Sequence, residues 1–198
     1  MHKVEKDLKI IEEILSKSFA EEKYYIVDFV PFTFPNEDYG ILEEYLDKNY
    51  KKQFSKKIIF LLYSLMFYYD SHLYLEWEVQ EPPFPQFYRK DLRNYDLEKL
   101  DKLVSHYILE NYDGIYLLFK NSENTYSVMH IEGGYDIQFF GINAKTKRYV
   151  KDLIKSQGLF LKEIIPDPKD LELFNLADSA AEYIKLKEEY DKLKNESN

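Results

Sequence analysis

Residues 126–140, YSVMHIEGGYDIQFF, decide how the second half of the chain folds. The runs YSVMHI (126–131) and YDIQFF (135–140) carry the β-branched and aromatic residues that favour strands. Gly133 and Gly134 lie between them. A dinucleotide-binding loop needs G-x-G-x-x-G between a strand and a helix, whereas adjacent glycines between two strands suit a hairpin turn with positive φ. A two-residue turn pairs Glu132 with Tyr135, Ile131 with Asp136, His130 with Ile137, Met129 with Gln138 and Val128 with Phe139. His130 then sits among apolar neighbours and Asp136 lies on the opposite face. They form no acid–base couple in this register, so His130 reads as a hydrogen-bonded structural residue.

Strand-like IYLLF (115–119) and LFLKEI (159–164) flank this hairpin, and Asn143 is placed to cap a helix over 144–156 that Gly158 stops. Further upstream, residues 3–19 space Val4, Leu8, Ile11, Ile14, Leu15 and Phe19 as an amphipathic helix. YYIVDFV (24–30) reads as a strand. ILEEYLDKNY (41–50) reads as a short acidic helix. FSKKIIFLLYSLMFYY (54–69) reads as a separate, centrally buried one, apolar nearly all round. HLYLEWEV (72–79) alternates, setting Leu73, Leu75, Trp77 and Val79 inward and His72, Tyr74, Glu76 and Glu78 outward. A proline-containing connection follows, including PPFP (82–85). Asp96 is a favoured cap for a helix over 97–112. After PDP (166–168), a last helix is expected over 169–193, fraying at 194–198. Helices and strands do not alternate regularly. The expected fold is therefore α+β: one domain over 1–198, with a single layer of mostly antiparallel sheet, about five or six strands, packed by helices.

Composition narrows function by exclusion. The chain has 198 residues, enough for one well-buried core, and no cysteine, which removes disulfides, thiolate catalysis and cysteine-ligated metals. It has 19 Tyr, 14 Phe and one Trp, an aromatic excess that fills a core or makes a surface adhesive. The longest apolar run, IIFLLYSLMFYY (58–69), is shorter than the roughly 20 residues of a bilayer span. No signal-peptide pattern opens the chain, so a soluble cytoplasmic protein is expected. The net charge is −9, with three arginines (Arg89, Arg93, Arg148), which argues against a phosphate-tracking nucleic-acid surface. From Tyr24 to Asp47 there are six acids and no Lys or Arg. Such a run is either a solvated face or a field that steers a basic partner.

Sites with chemistry are scarce. His72 and Glu76 lie about 13 Å apart along a strand, too far to share an ion. His106 and Glu110 are one helical turn apart without a second histidine. No nucleophile elbow, P-loop, H-E-x-x-H or calcium loop is present. No cofactor or metal ligand is assigned. The segment YSVMHIEGGYDIQFFGINAKTKRYVKDLIKSQGLFLKE (126–163) resembles the strand–GG–strand–helix–GLFL endings of small acidic proteins of low-GC bacteria, among them immunity proteins of polymorphic toxin systems. The resemblance implies a non-catalytic protein that masks the active surface of a cognate toxin. The residues assigned to partner binding are Tyr39, Glu43, Glu44 and Asp47 on the acidic helix and Tyr74, Glu76 and Glu78 on the alternating strand. Two alternatives stand beside it: a hydrolase-like enzyme whose carboxylates and a histidine converge only in the fold, and a self-associating regulatory or scaffold module.

Overall fold

The computed structural model describes residues 3–20, 23–31, 39–75, 84–122 and 125–165, with the side chains of Tyr39 and Glu43 excepted. Its elements run α1 (Lys3–Ala20), β1 (Tyr24–Asp28), α2 (Tyr39–Tyr68), β2 (Ser71–Leu75), a 3-10 turn (Pro85–Phe87), α3 (Leu97–Leu109), β3 (Ile115–Ser122), β4 (Thr125–Ile131), β5 (Ile137–Phe140), α4 (Ala144–Ser156) and β6 (Phe160–Ile164). The strands form one six-stranded sheet in the order β2-β3-β4-β5-β1-β6, antiparallel at every junction. The fold is α+β with a single sheet layer. The last predicted helix, 169–193, lies outside the described residues, as does the second half of the alternating strand.

Alternation along the strands explains why helices cover both sides of the sheet. One face collects Tyr74, Tyr116, Leu118, Val128 and Phe140, and α1 lays Leu8 and Ile11 on it. The other face collects Leu73, Leu75, Leu117, Phe119, Met129, Ile131, Ile137 and Phe139, which pack with buried residues of α2, α3 and α4. Local signals set the helix ends as the residues suggest. Asp96 Oδ1 accepts from Lys99 N at 3.0 Å, and Asn143 Oδ1 accepts from Thr146 N at 2.9 Å. Gly158 closes α4 in the left-handed region at φ 69°. At the β1–β6 edge, Glu163 accepts from Lys147 and Lys23, which hold its carboxyl down at about 2.

Four expectations need correction. The acidic segment 41–50 and the apolar segment 54–69 are one continuous helix of 30 residues. The intervening YKKQFS contains no Pro or Gly, and Phe54 and Ser55 turn inward to carry the buried stripe across the join. That helix is not buried all round, because Phe60, Phe67 and Tyr68 are exposed. Tyr74 does not point to solvent. It is 1% exposed beneath α1, where its hydroxyl donates to Asp7 Oδ2 at 2.7 Å. Both faces of β2 are covered, so alternation there separates two interiors rather than inside from outside.

The fourth correction concerns the hairpin register. Ile131 pairs with Ile137, His130 with Gln138, Met129 with Phe139 and Val128 with Phe140, one residue away from the two-residue-turn register. Glu132 N donates to Asp136 O and Asp136 N to Gly133 O, each at 3.0 Å, so three residues rather than two make the connection. The slip has a plain cause. A one-residue shift exchanges the faces of a whole strand. The adopted register puts Ile137 and Phe139 in the larger core beside Ile131 and Met129, where the alternative buries Asp136 and Gln138.

Candidate functional site

The slipped register also builds the most chemically distinctive place among the described residues. Gln138, brought to the same face as His130, donates from Nε2 to Glu132 Oε2 at 2.7 Å and to Asp136 Oδ1 at 3.0 Å. Two carboxyls therefore share one amide at the mouth of the hairpin. Glu132 is exposed on one side, yet its carboxyl is raised above its ordinary value, first by partial desolvation at the turn and then by the negative charge of Asp136, with His130 pulling the other way. The Tyr24 hydroxyl is raised too, by burial first and then by Asp136 and Glu132. Among the described residues no Lys or Arg lies within ion-pairing distance of Glu132 or Asp136.

The turn that presents these carboxyls is pinned from three sides. Gly134 N donates to Ile108 O at 3.0 Å, tying it to α3. Gly133, at φ 88°, lies so close to the end of α3 that a Cβ there would come within 2.7 Å of the Asn111 carbonyl carbon. Asn111 is itself left-handed, at φ 58°, and its Oδ1 accepts from Lys51 Nζ of α2 at 2.6 Å. Tyr135 completes a three-ring cluster with Phe29 and Phe54, all centroid distances between 5.0 and 5.1 Å.

Beside the turn opens a cleft of about 540 Å³, walled by β1 and the residues after it on one side and by Leu42, Leu46 and Asp47 of α2 on the other. Two more acids line it. Asp28 is paired with Lys162 at 2.7 Å and Asp47 with Lys51 at 3.7 Å. On the adjoining surface of α2, Ile41, Leu42 and Tyr45 are 71%, 45% and 55% exposed, interleaved with exposed Glu44. Acidic and apolar groups thus alternate along one rim.

His130 stands behind the turn. Its Nε2 hydrogen-bonds Asp113 Oδ1 at 2.8 Å, and its ring stacks on Tyr116 at 4.3 Å, nearly parallel. Its Nδ1 is buried without a hydrogen-bond partner among the described residues. His72 likewise holds a carboxylate, with Nδ1 2.6 Å from Asp91 Oδ2. No group of three His, Asp or Glu among the described residues is placed to hold a metal ion, and no described helix is long and apolar enough to cross a membrane.

The residues assigned to partner binding are dispersed differently from the expectation. Tyr39 and Glu43 lie in the first turns of α2, their side chains not described. Glu44 and Asp47 are exposed, and Asp47 lines the cleft. Tyr74 lies inside, on the far edge strand of the sheet, and shares no surface with them. Glu76 and Glu78 fall outside the described residues. Sequence reasoning set Asp136 aside because the two-residue turn placed it on the face opposite His130, whereas the adopted register brings it beside Gln138 on the His130 side; it assigned no role to Tyr24, Glu132 or Gln138. The available signal was two carboxylates bracketing Gly-Gly-Tyr, a spacing that brings them together only with a three-residue connection. No family model, curated protein or solved structure matches the chain.

Proposed function

We propose that the chain is a non-catalytic binding protein that receives a basic protein partner on the rim of the cleft and the exposed first half of α2. The observation that carries this reading is the pairing of exposed Ile41, Leu42 and Tyr45 with a cleft whose Glu132 and Asp136 lack a cationic partner among the described residues. Apolar anchors supply affinity on desolvation, while uncompensated carboxylates steer and orient a cation. A lysine or arginine of the partner entering the cleft offsets the Asp136 charge that, after desolvation, raises Glu132. The finer form of the proposal is an immunity protein that masks a toxin's active surface. The net charge of −9 and the resemblance of residues 126–163 support it.

The test is kinetic. The double charge reversal Glu44→Lys, Asp47→Lys is expected to slow association with a basic toxin domain by roughly tenfold at low salt, within the range electrostatic steering spans. The difference should shrink as salt is raised. An association rate unmoved by either the substitutions or the salt refutes this surface.

One observation favours a second reading. A carboxyl raised by partial desolvation and a neighbouring carboxylate, standing at an open cleft, is the arrangement of a general acid. Glu132 would then donate a proton to a bound substrate, with Asp136 holding its value up. Glu132→Gln separates the two: in an enzyme it abolishes turnover while the substrate still binds, whereas in a binding protein, with no turnover to lose, it weakens the complex with the basic partner.

A further inference from the structure

The face of the sheet beneath α1 is covered over only part of its width. The cluster buried there draws Tyr74, Tyr116, Leu118, Val128 and Phe140 from β2 to β5, and no buried residue from β1 or β6. Register puts Ile26, Gln138 and Lys162 on this same face, and alternation adds Tyr24, Asp28 and Ile164. The β1 and β6 side chains among these are half-buried, whereas Tyr25 and Val27, on the other face of β1, are each 4% exposed. The cleft opens over this bare part: Tyr24, Ile26, Asp28 and Ile164 line it together with Glu132 and Asp136. Apolar side chains left half-covered on two adjacent strands call for a further layer.

What can supply that layer follows from where the chain leaves the sheet. β6 ends at Ile164 on the cleft wall, and Ile165 beyond it is 76% exposed. Pro166, Asp167 and Pro168 come next in the sequence, then the stretch 169–193 that reads as a helix. Leu173, Leu176, Ala177, Ala180 and Ile184 recur there at i, i+3, i+4, i+7 and i+11, an apolar stripe whose two alanines let a helix approach a sheet closely. Lys187 continues the stripe three residues after Ile184, and no Lys or Arg lies between Lys169 and Lys185. A helix turning back from Ile164 along β1 travels from the Tyr24 end toward Asp28. The strand covers about 13 Å between those two residues, and a helix rises about 21 Å from Leu173 to Lys187. The stripe therefore spans the bare strands, and its lysine arrives at the turn that carries Glu132 and Asp136. Asp28 already holds Lys162 at 2.7 Å, so the carboxyls this lysine meets are the two that no described Lys or Arg pairs with.

We infer that the occupant of this face is the chain's own segment 169–193, laid beside α1 with its apolar stripe over β1 and β6 and Lys187 at Glu132 and Asp136. The segment then competes with a basic partner for the same two carboxyls. The competition rests on the partner-binding reading of the cleft; the packing does not.

The chain contains no cysteine, so paired cysteines in the full chain report the contact. Ile26→Cys with Ala180→Cys joins the middle of β1 to the middle of the stripe. Ile26→Cys with Glu182→Cys puts the second thiol on the opposite side of the expected helix and serves as control. Under mild oxidation the first pair is expected to close an intramolecular disulfide at least tenfold faster than the second. Ile164→Cys with Leu176→Cys reads the same packing at the other end of β1 with Ile26 intact, and should close as readily as the first pair. Adding Lys187→Glu to either should slow closure at least threefold at low salt. Equal rates in the Ala180 and Glu182 pairs, closure indifferent to Lys187→Glu, or disulfides formed only between two chains each overturns the inference. Competition is read separately: an oligolysine peptide is expected to bind the oxidised pair at least tenfold more weakly than the reduced one. Rapid closure with unchanged peptide affinity leaves the packing standing and overturns the competition, and with it the cleft as a site for a basic partner.

Discussion

Replacing Tyr74 by Phe tests whether this residue belongs to the interior or to a binding face. The ring is 1% exposed and its hydroxyl donates to Asp7 Oδ2 at 2.7 Å, while Asp7 is 7% exposed. Burial, then the hydrogen bond and charge of Asp7, raise the Tyr74 hydroxyl far above its ordinary value, so the donor keeps its proton across the usable pH range. Phe preserves the ring and its packing, so no cavity term enters. The loss is one hydrogen bond to a carboxylate, about 1.5–3 kcal/mol, left with a buried acceptor short of its donor. A central figure of about 2 kcal/mol corresponds to a fall in Tm of roughly 4–8 °C for a chain of this size. Denaturant titration of Tyr74→Phe, Asp7→Ala and the double variant should give a coupling of about 1–2 kcal/mol. An exposed contact residue behaves otherwise: Tyr74→Phe would move stability by less than about 0.5 kcal/mol and weaken partner binding instead. A stability change that small, or a coupling indistinguishable from zero, refutes the placement of Tyr74 as the tie between β2 and α1.

Two further outcomes follow from the hairpin turn. Glu132 is raised in the folded state, so its contribution to stability is fully present below the ordinary value of 4.5 and is lost as pH rises through the folded value. Urea midpoints should therefore rise between neutrality and that lower limit more in the unmodified chain than in Glu132→Gln. Equal slopes would show that neither desolvation nor the charge of Asp136 raises Glu132 in the folded chain. Gly133→Ala forces a Cβ to within 2.7 Å of the Asn111 backbone at φ 88° and should cost more than about 2 kcal/mol. By contrast, Gly40→Ala meets nothing within 4 Å and should stabilise by up to about 1 kcal/mol, a difference readable by calorimetry.

Readability from the sequence followed how local the deciding interaction was. The caps at Asp96 and Asn143 and the stop at Gly158 are each set by hydrogen bonds or dihedrals within a few residues, and each stands where the residue types place it. The amphipathic stripe of α1 names the face it buries. The antiparallel run β3-β4-β5 was legible for the same reason, since short connections join its strands, whereas β2, β1 and β6 join the sheet through long stretches of intervening chain. The candidate site was not legible, because it depends on which of two neighbouring registers the hairpin takes. Both registers are locally acceptable to Gly-Gly. The choice falls to the sheet face that needs Ile137 and Phe139, and it carries Gln138, Glu132 and Asp136 into one cluster as a by-product.

Sequence alone therefore determined the α+β class, the identity of most elements and the absence of thiol chemistry, because propensity, capping and periodicity act over one or two turns of chain. Only the tertiary structure decided that Tyr74 is buried, that α2 runs unbroken, and that its Phe60 and Phe67 face outward. A strand's alternation says that two sides differ, but not that a helix covers each of them. An apolar helix says that it has a core-facing side, but not how many of its sides the surrounding elements are large enough to cover.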